Sequence, residues 1–78
     1  MLGWDSLTPT EHEIAALVAT GLTNPQIGDR MFISKATVKT HLAHIFKKID
    51  VHTRAELVGR SLQRDADRQP RPHDGRGP

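Results

Sequence analysis

Residues 23–49 read TNPQIGDRMFISKATVKTHLAHIFKKI, and two helix starts stand eleven residues apart within this stretch. Thr23 is followed by Pro25 and, three residues on, by Gln26, a pattern typical of a capped helix N-terminus. Ser34 is a second N-cap residue, because its hydroxyl can accept a hydrogen bond from the first turn of the helix that follows. The stretch therefore predicts a short helix ending near Arg30, followed at once by a longer one.

The longer helix has one apolar and one polar face. Its apolar residues recur at spacings of four, three and four, at Val38, Leu42, Ile45 and Ile49. This periodicity predicts one buried stripe, with the opposite stripe turned outward. At 100° per residue, the outward stripe consists of Ala36, Thr40, Ala43, His44 and Lys47, with Lys39 on its flank.

The connection between these two helices has two unusual features. Gly28 lies inside the short helix, where glycine costs roughly 1 kcal/mol relative to alanine. Close approach of the following helix would explain this glycine, and a tolerated weak position is the alternative. The segment Met31-Phe32-Ile33 is too apolar for a solvated loop, so we expect it to pack against the core.

Two more helices flank the pair. Thr8 precedes Pro9 and Glu11, which predicts a capped helix that ends at Gly21. After the long helix, Thr53 precedes Glu56 in the same arrangement and opens a fourth helix, which we expect to end near residue 62. The fold class predicted is all-α, a four-helix domain.

Length and composition limit what the chain can be. Its 78 residues suffice for one domain, which we place at residues 1–64. Residues 65–78 consist largely of Asp, Arg, Gln, Pro and Gly and are predicted to be a disordered tail. Cysteine is absent, which excludes disulfide scaffolds and cysteine-ligated zinc fingers. No membrane span or signal peptide is visible, so a cytoplasmic protein is expected.

Basic charge is concentrated in the centre of the chain. Residues 34–64 carry seven Lys and Arg against two Asp and Glu, whereas residues 1–33 carry one Arg against four acids. Such asymmetry indicates a polyanionic partner on one side of the molecule. A solvated basic face is the alternative that charge alone leaves open.

The two central helices, joined tightly and with a polar outer face on the second, indicate a helix-turn-helix. The ordered motifs around them resemble the LuxR-type (LuxR/FixJ/GerE) DNA-binding domain of bacterial transcriptional regulators, from Leu7 to Leu62. These motifs are Leu7-Thr8-Pro9-Thr10-Glu11-His12-Glu13, Gly21-Leu22-Thr23-Asn24-Pro25-Gln26-Ile27-Gly28, Phe32-Ile33-Ser34, Thr37-Val38-Lys39-Thr40-His41, Lys47-Lys48-Ile49 and Thr53-Arg54-Ala55-Glu56.

The resemblance implies sequence-specific binding to double-stranded DNA, with a recognition helix of about residues 35–49 in the major groove. It assigns base reading to Lys39, Thr40 and Ala43. Ser34, Lys35, Thr37 and Lys47 are then candidates for phosphate contacts, which position the domain without reading sequence.

The resemblance also implies partners. It implies a homodimer, which we expect to be weak without DNA, paired through the fourth helix at Ala55, Val58, Gly59 and Leu62. An upstream regulatory domain and RNA polymerase are further expected partners, since relatives carry this domain as a C-terminal output module.

Two residues depart from the family pattern. Ala43 stands where many relatives have a polar or charged reader, so readout there should be less stringent or directed to a thymine methyl. Asp50 stands in the turn after the long helix, where glycine is frequent in relatives. Aspartate tolerates the left-handed conformation moderately well, so the fold itself is not in question.

The sequence also bears on other classes of function. A helical module that binds a protein partner is the strongest alternative, and the salt dependence of binding would separate it from DNA binding. An enzyme is not predicted, because no nucleophile set, phosphate loop or carboxylate pair is present. His41 and His44 stand three apart, but no further ligand completes a metal site, and no cofactor is expected.

Overall fold

The computed structural model describes residues 3–68, which form a short 3₁₀ turn and four α-helices. The 3₁₀ turn spans Trp4–Ser6, and the helices are α1 (Pro9–Ala19), α2 (Asn24–Met31), α3 (Lys35–Ile49) and α4 (Arg54–Arg68). No strand occurs within this range. The predicted all-α, four-helix fold is confirmed.

All four helices begin at the predicted capping residues. In α1 and α2 both halves of the capping box form; the Glu11 and Gln26 side chains accept from the N-cap amides at 2.9 and 2.8 Å. The Ser34 hydroxyl accepts from the amide of Thr37 at 3.0 Å. Thr53 accepts from Glu56 in the same way at 3.1 Å. These short-range bonds fix where each helix starts.

The core is arranged around α1. Helix α1 packs on both α3 and α4, and α2 packs mainly on α3. The apolar stripe predicted for α3 is buried in full, and it meets side chains from the other three helices. The buried apolar residues are Leu7, Ile14, Ala15, Val18, Ile27, Val38, Leu42, Ile45, Ile49, Val51 and Leu57.

The turn between α2 and α3 explains Gly28. A Cβ atom on this residue would lie 2.5 Å from the carbonyl oxygen of Ile33. The carbonyl of Gly28 also accepts the amide of Ile33 at 2.9 Å. The close approach expected at Gly28 is therefore present, and the atoms that make it belong to the turn that leads into α3.

The expectation that Met31-Phe32-Ile33 packs against the core is wrong for its middle residue. Met31 and Ile33 are half-buried against the core, but Phe32 is 94% exposed. Phe32 ends α2 in the left-handed conformation, with φ 60°. Because this conformation reverses the chain direction, the two neighbours face inward while the residue between them faces solvent.

The ends of α3 and α4 settle two further expectations. Asp50 adopts the left-handed conformation, with φ 56°, and ends α3 as anticipated.

Helix α4 continues to Arg68, past the expected end near Leu62. Residues 65–68 are therefore helical and not part of an irregular tail, since Asp65 and Ala66 do not interrupt a helix. The rest of the predicted tail, residues 69–78, lies outside the described residues.

The N-terminal turn closes one end of the core. The indole of Trp4 stacks on the ring of His12 with centroids 6.4 Å apart, and the Arg64 guanidinium carbon lies 5.2 Å from the centre of the indole. Trp4 also packs against the core from the N-terminal arm, residues 3–8, which precedes α1. The stack links this arm to α1 and α4.

Candidate nucleic-acid interface

The outward stripe of α3 is exposed along its length. Ala36, Thr40, Ala43 and Lys47 all lie on the solvent side, with Lys39 exposed on the flank. The opposite stripe is held in the core, so the orientation of α3 about its own axis is fixed by burial. The three predicted base-reading residues are thus brought onto one accessible face.

The predicted phosphate-contacting residues lie at both ends of this face. Ser34, Lys35 and Thr37 are exposed around the start of α3, and Lys47 is exposed in its last turn. The positive end of the helix dipole adds to the charge of Lys35 at the N-terminus. The arrangement places cationic and hydrogen-bonding groups on either side of the three predicted base-reading residues.

The hydroxyl groups of this face are engaged within α3. Ser34 Oγ and Thr37 Oγ1 lie 2.9 Å apart and share a hydrogen bond. Thr40 Oγ1 donates to the carbonyl oxygen of Ala36 at 3.2 Å. Thr40 thus directs its hydroxyl hydrogen toward the helix backbone and presents a methyl group and oxygen lone pairs to solvent, whereas one hydroxyl of the Ser34–Thr37 pair keeps a hydrogen free to donate.

Lys48 has a structural partner. Its Nζ donates to Glu11 Oε1 at 2.7 Å, and the Glu11 side chain is only 5% exposed. Burial raises the pKa of Glu11, but the hydrogen bonds from Lys48 and Thr8, with the charge of Lys48, outweigh burial and hold that pKa below its ordinary value of 4.5. Lys48 therefore stabilises the fold by joining the end of α3 to the start of α1.

Arg54 makes a link that sequence reasoning missed. Its guanidinium donates to Asn24 Oδ1 at 2.7 Å and to the carbonyl oxygen of Leu22 at 2.8 Å. The first residue of α4 is thereby tied to the start of α2. Because these partners lie about thirty positions apart in sequence, no local pattern could have revealed the contact.

The predicted pairing residues lie on α4 as one stripe. Ala55, Gly59 and Leu62 are exposed, and Leu62 is 56% exposed, whereas Val58 is half-buried against the core. The extension of α4 places Ala66 on the same stripe, at the spacing that continues the series. Val58 therefore has only part of its side chain available for pairing with a second copy.

Residues 3–68 contain neither a metal-binding cluster nor a membrane-spanning helix. No group of three or more His, Cys, Asp and Glu side chains is arranged to hold a metal ion in this range. Nor is any helix of the described region both long and apolar enough to traverse a bilayer.

Comparison with known proteins identifies the family. The model of the bacterial regulatory proteins of the luxR family (GerE) matches residues 5–60. A Mycobacterium tuberculosis protein named as an HTH-type transcriptional regulator, Rv0890c, is 45% identical over 62 residues, 80% of this chain and 7% of that protein. The transcriptional regulatory protein LiaR of Bacillus subtilis is 48% identical over 54 residues, 69% of this chain and 26% of that protein.

A solved structure agrees with these matches. The response regulator ChrA of a heme-sensing two-component system is similar with a TM-score of 0.71 and 40% identity, over 77% of this chain and 30% of that one. The chain spans less than a third of the length of each of these relatives. It belongs to the luxR family of bacterial regulatory proteins and has the helix-turn-helix domain of DNA-binding transcriptional regulators.

Proposed function

We propose that this chain binds double-stranded DNA sequence-specifically, as the output domain of a bacterial transcriptional regulator, with α3 in the major groove. The observation that carries the proposal is the exposed face of α3, which has Lys35, Lys39 and Lys47 around a centre of small residues. A major groove about 12 Å wide admits a helix of this kind. Such binding would take place in the cytoplasm, where a bacterial chromosome lies.

The residues of α3 divide into two roles. Lys39, Thr40 and Ala43 face the base edges, since they are exposed and lie midway along α3, between the two groups of phosphate-contacting residues. The residues at its two ends contact phosphates and set the register of α3 in the groove, namely Ser34, Lys35, Thr37 and Lys47.

Two copies of the domain pair on DNA through α4. The exposed stripe of α4 is narrow and made of small side chains apart from Leu62, which supports a weak interface that forms on adjacent half-sites. The relatives extend far beyond the matched region. Accordingly, the proposal includes control of the domain by a regulatory region upstream of it, and contact with RNA polymerase.

The test is binding to random duplex DNA and to a pool enriched by selection, each at two salt concentrations. Enrichment of a two-fold motif, with affinity that falls steeply with salt, supports the proposal, because phosphate neutralisation releases counterions. Absence of binding even at low salt would contradict it and would favour a module that binds a protein.

A further inference from the structure

We propose that α3 recognises the C5-methyl groups of the major groove, those of thymine in ordinary DNA, through a stripe formed by Ala36, Thr40 and Ala43. This inference rests on the proposed function and specifies what the base-reading face detects. The name methyl stripe is used below for these three residues. All three are exposed on the side of α3 that faces away from the core.

The methyl stripe is narrow around the helix and extended along it. At 100° per residue, the methyl stripe falls within an arc of about 60° at the centre of the outward face. Its length along the helix axis is about 10 Å, which corresponds to about three base-pair steps. The stripe is therefore long enough to contact the few successive base pairs that a recognition helix reads in one half-site.

The hydroxyl of Thr40 is already hydrogen-bonded within α3. A threonine hydroxyl usually reads bases by donating or accepting a hydrogen bond. Here Thr40 Oγ1 donates its hydrogen to the carbonyl oxygen of Ala36 at 3.2 Å. With that hydrogen committed, the side chain offers an acceptor and a methyl group, so its preference shifts from base acceptors toward apolar contact.

Lys39 differs from the methyl stripe in both charge and position. It lies midway along α3, but around the helix it stands on the flank of the exposed face, at about 60° from Ala36. A lysine there selects guanine acceptors at the edge of the footprint. Specificity in the centre is then left to the methyl stripe, because alanine and a committed threonine have no hydrogen to donate to a base.

The experiment uses deoxyuridine, which differs from thymidine only in lacking the C5-methyl group. A motif is selected with ordinary DNA, and each thymine is then replaced singly by deoxyuridine. Replacement of a thymine under the methyl stripe should weaken binding about fourfold, since burial of one carbon contributes about 0.8 kcal/mol. Replacement of thymines that flank the motif should leave affinity unchanged.

A pair of variants assigns the effect to the protein. Thr40→Ser removes the γ-methyl and keeps the hydroxyl, so it should weaken binding about fourfold and abolish the penalty of deoxyuridine at the matching position. Thr20→Ser is the matched control. Thr20 is an exposed threonine outside α3 whose hydroxyl also donates to a backbone carbonyl, at 2.8 Å, and its change should alter neither affinity nor deoxyuridine sensitivity.

The outcomes separate this inference from the function on which it rests. Sequence-specific binding that tolerates deoxyuridine at every position overturns the methyl stripe and leaves the DNA-binding proposal intact. A selected motif without thymine in its half-sites does the same. Absence of binding to any duplex overturns both.

Discussion

Gly28 sets the distance between α2 and the turn that follows it. Gly28→Ala should destabilise the domain by roughly 1–3 kcal/mol, because the new Cβ would meet a backbone oxygen at 2.5 Å and the turn must shift. Thermal unfolding followed by circular dichroism measures the change, at about 4–8 °C per kcal/mol for a domain of this size.

Gly59 provides the control for this substitution. A Cβ built on Gly59 meets nothing within 4 Å, and the residue lies inside α4. Gly59→Ala should therefore raise stability by roughly 0.5–1 kcal/mol through helix propensity. Equal effects of the two substitutions would show that the close approach at Gly28 has no energetic weight.

The Glu11–Lys48 pair makes stability depend on pH. Because the pKa of Glu11 is lowered on folding, its stabilising contribution is fully present above its ordinary pKa of 4.5 and is lost as pH falls through the lowered value. Glu11→Gln should cost roughly 1–3 kcal/mol at pH 7, since it leaves Lys48 without its anion. The free energy of unfolding of Glu11→Gln should also fall less steeply than that of the wild type as the pH is lowered below 4.5.

Glu13→Gln is the matched control, because Glu13 is exposed two residues further along α1. Chemical denaturation between pH 3 and pH 7 measures the free energy of unfolding of the wild type, Glu11→Gln and Glu13→Gln. If the free energy of unfolding falls equally steeply with decreasing pH in the wild type and in Glu11→Gln, Glu11 does not cause the pH dependence of stability.

At the scale of the element, position along α3 decides what a lysine does. Lys39→Ala should weaken binding to the selected motif by roughly 1–3 kcal/mol and relax base preference, with helical content unchanged. Lys47→Ala should weaken binding to all sequences alike and reduce the salt slope by about 1. Titrations of both variants against specific and random duplexes measure these effects, and a uniform loss in Lys39→Ala would remove Lys39 from base reading.

The start of α2 is held from α4. Arg54→Ala removes the bonds to Asn24 and to the Leu22 carbonyl, so it should cost about 1 kcal/mol and speed amide exchange in the first turn of α2. Arg60→Ala serves as control, because Arg60 lies on the same helix and its hydrogen bond reaches Ile49, at the end of α3. If amide hydrogen exchange in Arg54→Ala is unchanged in α2 and faster elsewhere, Arg54 does not hold the start of α2.

Helix starts could be predicted from the sequence because their causes are local. The bonds that begin α1 and α2 join residues three positions apart, so Thr8 with Glu11 and Thr23 with Gln26 are visible as patterns. Periodicity likewise predicted which stripe of α3 is buried. The C-terminal extent of α4 was missed, since polar residues such as Asp65 and Asp67 are compatible with both a helix and a tail.

At the scale of the whole molecule, the contacts that assemble the domain join distant residues. Glu11 and Lys48 are 37 positions apart, and Arg54 and Asn24 are 30 apart. No spacing rule encodes such pairs, so only the structure could reveal them. The exposure of Phe32 was missed for a related reason, because the direction of its side chain depends on a left-handed backbone residue that apolar composition does not signal.

Assembly on DNA is the property that belongs to the whole molecule. The isolated chain should sediment as a monomer at micromolar concentration and as two copies on a duplex with two half-sites. Leu62→Glu should abolish the gain in affinity from the second half-site and leave single half-site binding intact, because it charges the α4 stripe.

Thr10→Glu adds the same charge at the exposed start of α1 and serves as the control. A tight dimer in the absence of DNA, or retained cooperativity in Leu62→Glu, would contradict the pairing surface. Sedimentation velocity with and without each duplex distinguishes these cases.

The stack at Trp4 has a spectroscopic consequence. Trp4 is the one tryptophan of the chain, and tyrosine is absent, so excitation that is selective for tryptophan produces emission from a single place. That place is the junction of the N-terminal arm with α1 and α4, where the indole lies between His12 and Arg64. The intrinsic fluorescence of this protein is therefore a built-in reporter of whether the arm is docked, readable without any label.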